Sequence, residues 1–366
     1  MSLLSRYLLR QNLFMLFAIL LIGTGLYVLT DMFERLDNFL ESGIGGATIF
    51  YFFLLKIPTI VSLILPAVYL LSLVVQINFL ERSRELVALA AGGVSPMALF
   101  RFVLFYGIIW ALTQLLFSQV LGIVGERAAG RIWQENVRGH ILEEMGISGL
   151  WFTEGRRIIH IGKAYPAKNQ GKDITVYVLD ASNVGIEEIY RASDFVVEQG
   201  GVWQLLNGQR LEPAAFSSLP FDKTDIRIDQ DLKTFQATTG SGSSGIKGSQ
   251  LSLVELGKAI ERLDRAGSNV EGLRTAWHGK LAYAASIVVM GILALVVSRQ
   301  TPNIYKAAAL SILIVFFYYF INTMCLSMGE KGLLSPFLGA WFANSFFFFG
   351  GLLCLAFPAI IRKIRE

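Results

Sequence analysis

The sequence predicts a membrane protein of six transmembrane α-helices, set three plus three around an inserted all-β, jellyroll-like domain. Three observations predict it. Of 366 residues, 54% are hydrophobic and only 16% charged, against about a quarter charged in a soluble domain. Apolar runs long enough to cross a bilayer core of about 30 Å recur six times. Between the third and fourth runs the pattern changes to short, strand-like alternations.

The runs lie at about 13–30, 48–77, 100–122, 281–298, 307–327 and 337–361. The first is flanked by Arg6 and Arg10 and no small-residue cleavage site follows it, so it reads as an uncleaved first helix and not a signal peptide. The second contains Pro58 and Pro66, so it should be tilted or kinked, with its freed backbone groups met inside a bundle or at a cavity wall. Lys56 lies in this run and either snorkels to the outer surface or faces a wet or anionic cavity.

Lys and Arg in the short loops set the orientation. Arg6 and Arg10, then Arg82, Arg84 and Arg101, then Arg299 and Lys306, and finally Arg362, Lys363 and Arg365 mark one side. The other short loops are acidic or balanced, with Asp31, Glu34, Arg35, Asp37 and Glu41 in the first and Glu330 with Lys331 in the last. Both termini are therefore expected in the cytoplasm and the insert outside it.

Within the insert, LWFT (150–153), RIIHIG (157–162), ITVYVLD (174–180), EIYRASDFVVE (188–198) and VWQLLNGQRLE (202–212) alternate as strands do. Asn207-Gly208 is the strongest local hairpin signal among them. The stretch 238–249, TTGSGSSGIKGS, reads as a flexible linker. Its Gly240 and Gly245 have phosphate-loop spacing, but Ile246-Lys247-Gly248 follow in place of Lys-Ser or Lys-Thr and no strand precedes. LSLVELGKAIERLDRAG (251–267) is an amphipathic helix opened by a Ser252–Glu255 capping box. The expected divisions are thus 1–125, three helices with a cytoplasmic helix at about 79–95; 126–250, β domain and linker; 251–276, the amphipathic connection; and 277–366, three further helices.

Several function classes fall away. The net charge of +4 is small and scattered, unlike a nucleic-acid-binding stripe. Cys325 and Cys354 sit in apolar runs, and His140, His160 and His278 lie far apart without ligand spacing, which argues against a metal centre. No phosphate loop and no nucleophile with a paired base can be read, so the chain is expected to be no enzyme and to carry no cofactor of its own. A secondary transporter would place ionisable groups at mid-membrane, and the runs hold almost none beyond Lys56. A membrane-anchored scaffold for the β domain would not need what lies at 79–101.

That segment, FLERSRELVALAAGGVSPMALFR, is a short charged helix closed by Gly92-Gly93 and Ser95-Pro96. A membrane-parallel, solvated helix with local pairs among Glu81, Arg84 and Glu85 would account for it; so would a rigid element that fits a groove on a motor subunit. RSRELVALAAGGVS (82–95) resembles the coupling segment of the lipopolysaccharide-export permeases of the LptF/LptG family. Further stretches resemble that family in the required order: GLWFTEGRRIIHI (149–161), the amphipathic helix, WHGKLAYAASIVVMGILAL (277–295) and SPFLGAWFANSFFFFGGLL (335–353). The GLWFTEG and RSRELV runs resemble the G-type member more than the F-type.

The resemblance implies an inner-membrane permease of an ABC-type export complex, paired with a sister permease and driven by a cytoplasmic ATPase dimer that holds the ATP and Mg. It implies that lipopolysaccharide is taken from the membrane through a gate of the first and fifth helices and passed to the periplasmic jellyroll, then to a bridging jellyroll protein. Glu85 matches the family's coupling glutamate, with Glu81, Arg82, Arg84 and Gly92 around it. The G-type lysine pair outside the first helix is replaced here by Leu40 and Glu41, which leaves lipid phosphates to Lys56 and Arg35 or to the partner chain. Phe195 and Val197 are the expected cargo contacts on the inward face of the β domain.

Overall fold

A computed structural model of the chain describes residues 3–93, 95–137, 147–165, 168–180, 185–198, 201–213, 216–228, 251–265 and 269–365. The chain divides into two compact units, residues 1–129 with 275–366, and residues 130–274.

The first unit is helical. Six helices among the described residues are long and apolar enough to cross a membrane. They begin with α1 (Leu3–Glu41) and α2 (Gly46–Arg82), which a short α3 (Glu85–Ala91) separates from α4 (Pro96–Phe117). A π-helical turn (Ser118–Gly122) carries α4 into α5 (Ile123–Ile132). A second π-helical turn (Trp133–Val137) leads into the insert, which also holds α6 (Leu253–Arg265), and beyond it come α7 (Glu271–Gln300), α8 (Ile304–Glu330) and α9 (Pro336–Arg365). The hydropathic runs mark the membrane-thick part of these helices, but the helices themselves run on until something breaks them. Thus α1 has 39 residues, because nothing before Gly43, at φ 64°, interrupts it.

The segment expected as one helix at 79–95 is divided. Residues 79–82 complete α2, and the chain turns at Arg84, whose φ of 59° is left-handed, before α3 starts.

Helices α2 and α7 are central and the others peripheral. Leu65, Val68, Tyr69, Leu70, Leu73 and Val74 of α2 pack with Ile287, Val289, Met290, Leu293, Ala294 and Val297 of α7 in one core, joined by Leu16, Val103, Tyr106, Tyr318 and Ala343. Polar side chains pin the backbones. Tyr69 donates to Val103 O at 2.9 Å, Gln76 to Leu8 O at 2.8 Å, and Asn344 to Ala282 O at 2.6 Å while accepting from Tyr318.

Both prolines remain inside α2, and a neighbouring helix covers a carbonyl in the turn before each. Proline lacks the N–H of the i−4 bond and its ring forces the preceding turn aside. Near Pro66, Leu63 O accepts from Tyr319 of α8 at 3.1 Å and from Tyr283 of α7. Near Pro58, Leu55 O lies against Gly125 of α5 so closely that a Cβ there would sit 2.2 Å away. Thr59 adds a hydrogen bond to Gly122 O at 3.1 Å, tying the kink to the π-helical turn.

The second unit holds one six-stranded antiparallel sheet, β1 (Ile147–Glu154), β2 (Arg157–Tyr165), β3 (Gln170–Leu179), β4 (Ile186–Val197), β5 (Val202–Glu212) and β6 (Ser217–Arg227), in sequential order. The all-β insert is as expected, and its described strands form a meander. The sheet is rolled. Strands four apart in a flat sheet would be about 19 Å distant, yet the rings of Phe152 on β1 and Trp203 on β5 are 6.2 Å apart. Arg157 on β2 likewise donates to Arg227 O on β6 at 2.7 Å.

A crease across all six strands accompanies the roll. Every ladder skips one pair in the same row: Gly149 with Gly162, Gly162 with Asp173, Asp173 with Ser193, Ser193 with Asn207, and Asn207 with Asp222. Gly149, Asp173 and Asn207 have φ of 69°, 54° and 51°, a conformation that Gly, Asp and Asn adopt most readily. Buried positions slip by one residue at the crease, from Ile161 to Ala164 on β2 and from Ala192 to Phe195 on β4. Strands that bend in this way let one meander fold over its own inner face.

Asn207-Gly208 is therefore no hairpin turn. It lies inside β5 with paired residues on both sides, and the left-handed conformation that suits Asn to turns here bends a continuous strand. Strand β6 escaped the sequence reading because SSLPFDKTDIR lacks an apolar alternation; its Pro220 suits the edge position it occupies. The 238–249 linker lies outside the described residues. The capping box at α6 is present: Ser252 N donates to Glu255 at 2.7 Å and Glu255 N to Ser252 Oγ at 3.2 Å.

Because Asn207 is exposed, substitution there isolates backbone strain from packing. Asn207→Val should lower stability by about 1–2 kcal/mol, the usual cost of a left-handed β-branched residue, while Asn207→Gly should be tolerated. Thermal unfolding of the two purified variants would check this, and equal melting temperatures would remove the crease as a constraint.

Candidate functional site

Two polar clusters occupy opposite ends of the α1–α2 pair. The helices run antiparallel, since Leu8 meets Gln76 near one end and Asp31 meets Lys56 near the other.

At the first end, α3 spans seven residues and buries none of them; Val87 is 67% exposed. Few contacts fix its direction. The αL residue Arg84 turns the chain into it, Gly92 caps it, and Gly93 at φ 81° turns the chain out again. Glu85 stands in its first turn, where a negative charge suits the helix dipole. Its Oε1 accepts from Ser83 Oγ and its Oε2 from Tyr7 Oη of α1, both at 2.9 Å. Of the residues expected here, Glu81 and Arg82 sit in the last turn of α2, Arg84 forms the bend, and Gly92 ends α3; Glu81, Arg82, Arg84 and Gly92 are all exposed. The sequence reading missed Tyr7 and Ser83.

At the second end, the two expected cations come together on one carboxylate. Asp31, 8% exposed, pairs with Lys56 Nζ at 2.5 Å and with Arg35 Nε at 3.0 Å. The ring of Phe52 lies beneath both, 5.4 Å from Nζ and 5.9 Å from the guanidinium carbon, with Phe39 and Phe53 edge-on around it. Lys56 thus neither snorkels alone nor stands bare in a cavity; a carboxylate of α1 offsets the cost of burying it. The carboxylate gathers two cations, and one of the three Nζ donors is accounted for by Asp31. The Asp31–Arg35 spacing is a legible helix pair, whereas its link to Lys56, 25 residues away, has no local signal.

In the β unit, Phe195 is a core residue. It is 1% exposed, stacks on Trp203 with centroids 5.2 Å apart, and covers Gly171. Val197 is half-buried at the end of β4. Contact between Phe195 and a cargo therefore requires the roll to part.

No curated protein gives a significant match to the chain. The family described as lipopolysaccharide export system permease LptF/LptG matches residues 6–356, from the first turns of α1 to the last span. A match over nearly the whole length, joined to six spans and an inserted antiparallel sheet, places this multi-pass membrane protein in the LptF/LptG family of lipopolysaccharide export permeases.

Proposed function

We propose that this chain is one permease subunit of an ABC-type exporter in the bacterial inner membrane, with both termini cytoplasmic and the β unit periplasmic. A cytoplasmic ATPase dimer docks on α3, a sister permease pairs with the helical unit, and lipopolysaccharide passes through the β unit to a bridging jellyroll protein. The observation that carries the ATPase assignment is α3 itself: a helix of apolar composition with no buried residue, bounded by two bends and bearing one oriented carboxylate, is a surface built to be covered.

Physical chemistry requires an outside energy source. Each CH₂ of an acyl chain buried in the bilayer holds it by about 0.8 kcal/mol, so lifting a multi-chain lipid out needs coupled work. The sister contact is placed on α1 and α8, the first and fifth spans. Their apolar side chains are the least covered, with Phe14 and Leu21 at 77% and Phe316 at 63% exposed. The G-type assignment belongs to the same reading, and restoration of export in cells lacking either sister type separates it from the F-type.

Co-purification from detergent tests the complex. A nucleotide-binding dimer and a second six-span protein should accompany the chain, and vesicles holding this protein alone should export no lipid; export without any ATPase would defeat the proposal.

The Lys56–Arg35 cluster is the proposed contact for lipid phosphates, supported by its two neighbouring cations and its position near one end of the α1–α2 pair. Lys56→Gln should lower lipopolysaccharide recovered with the complex roughly tenfold, the loss expected for one charge-assisted bond of about 1.5 kcal/mol. Asp31→Asn, which removes the anion that Lys56 pairs with, should leave recovery unchanged or raised. Normal recovery with Lys56→Gln would confine the lysine to its ion pair with Asp31.

A further inference from the structure

We propose that Tyr7 is a positioning residue through which α1 responds to occupancy of Glu85 by the ATPase, an inference that rests on the coupling role proposed for Glu85. The attachment of α3 makes the case. Its own residues bury nothing, and the bends at Arg84 and Gly93 leave its direction to side-chain ties. Among the described contacts, Ser83 holds Glu85 from within the same segment. Tyr7 holds it from another helix, 78 residues away.

The other end of that tie is equally telling. α1 is a single uninterrupted rod of 39 residues. Along most of its length it presents exposed apolar side chains, with Phe14 and Leu21 at 77%, and Ile22 and Leu26 at 62% exposed. Its polar ties to α2 are few: Leu8 O and Gln11 with Gln76, Asn12 with Ser72, and Asp31 with Lys56. Tyr7 lies at the α2 and α3 end of this rod and is 48% exposed, so the hydroxyl is open to exchange.

Both oxygens of Glu85 already accept one hydrogen bond each, and each has a second lone-pair direction. A basic group on a docking subunit can therefore add to the carboxylate first and then displace Tyr7, because a charge-to-charge hydrogen bond is stronger than that from a neutral hydroxyl. Docking then releases α1 from α3 at Tyr7, while Leu8, Gln11 and Asn12 keep α1 on α2, and undocking restores the tie. No bond is broken covalently and no proton is lost, so the exchange reverses with each ATP cycle.

The experiment uses the full complex with its ATPase. Tyr7→Phe removes one half-exposed hydroxyl and nothing else. Spin labels at Arg10→Cys and Val87→Cys, in a background with Cys325→Ser and Cys354→Ser, report the α1–α3 distance with and without trapped nucleotide. The expected result with Tyr7→Phe is undiminished docking, continuing ATP hydrolysis, loss of the nucleotide-dependent distance change, and at least a fivefold fall in lipid released per ATP. Ser83→Ala, which leaves the Tyr7 bond in place, should retain the distance change. Wild-type distances and stoichiometry with Tyr7→Phe would overturn the proposal, and so would loss of docking, which would make Tyr7 part of the docking surface. Docking that survives Glu85→Lys would instead overturn the underlying coupling role, so the two failures are distinguishable.

Discussion

Glu85→Lys is expected to abolish export and to weaken association with the ATPase by about 100-fold, the loss that accompanies about 3 kcal/mol when one partner of a covered charge pair is removed. Three effects act together. The substitution deletes the acceptor of both the Ser83 and Tyr7 hydrogen bonds. It sets a third cation beside the exposed Arg82 and Arg84. It also places positive charge in the first turn of a seven-residue helix, where the dipole disfavours it. Glu85→Gln separates these effects, since its amide oxygen still accepts from Tyr7 while the charge is gone; it should weaken docking less than lysine does. Pull-down of the ATPase, stimulated ATP hydrolysis and lipid release from vesicles would measure the series. A Glu85→Lys complex that assembles and exports normally would leave α3 without the role given to it.

What could be read from the sequence divides along a physical line. Hydropathy counts the residues that lipid surrounds, so it located six spans but not helix lengths: α1 and α2 continue through Asp31, Glu34 and Arg82 because a charged side chain does not break a helix and only Gly43 and Arg84 turn the backbone out of it. Local signals also named the right residue and the wrong structure at Asn207. An Asn in the left-handed region is common to a hairpin and to a strand crease, and what decides is whether paired strands continue on both sides, which is long-range information. The same holds for the clusters. Lys56 and Arg35 were recognisable as cations near a membrane end, yet the carboxylate that joins them sits one turn from Arg35 on α1 while Lys56 is on α2, and Tyr7 is tied to Glu85 only because two antiparallel helices return the chain to the same end. Phe195 was legible as inward-facing, but periodicity does not say whether an inner face is closed or open; the roll of the sheet closes it.

These ties share a feature that bears on how force crosses the membrane. The core of α2 and α7 is apolar and continuous, which resists continuous deformation, whereas α1 joins it through fewer buried side chains, Leu16 among them, and through polar ties toward its two ends. Motion is thereby directed to the peripheral helix, with the Glu85 bond at one end and the Asp31–Lys56 pair at the other. The two prolines of α2 do not loosen this frame, because neighbouring helices cover the Leu55 and Leu63 carbonyls in the turns before them.

The second large effect is expected from that covering. Gly125→Val should destabilise the helical unit by about 3 kcal/mol or more, at the upper end of the cost of overpacking. A Cβ at Gly125 would lie 2.2 Å from Leu55 O and 3.3 Å from its carbonyl carbon, and the obstacle is backbone, so no rotamer relieves it. Moving α5 away uncovers Leu55 O in the turn where Pro58 supplies no N–H to the Leu54 carbonyl, and an unpaired carbonyl in lipid costs several kcal/mol. The disturbance also reaches the next residue of α2, Lys56, and its pairing with Asp31. Gly25→Ala on α1 supplies the control: an added Cβ there meets nothing within 4 Å, and alanine is the better helix former by about 1 kcal/mol. Thermal unfolding in detergent should therefore move in opposite directions for the two variants, with lipid recovery falling for Gly125→Val. A Gly125→Val protein with unchanged melting temperature would mean that the proline kink at Pro58 is not held by α5.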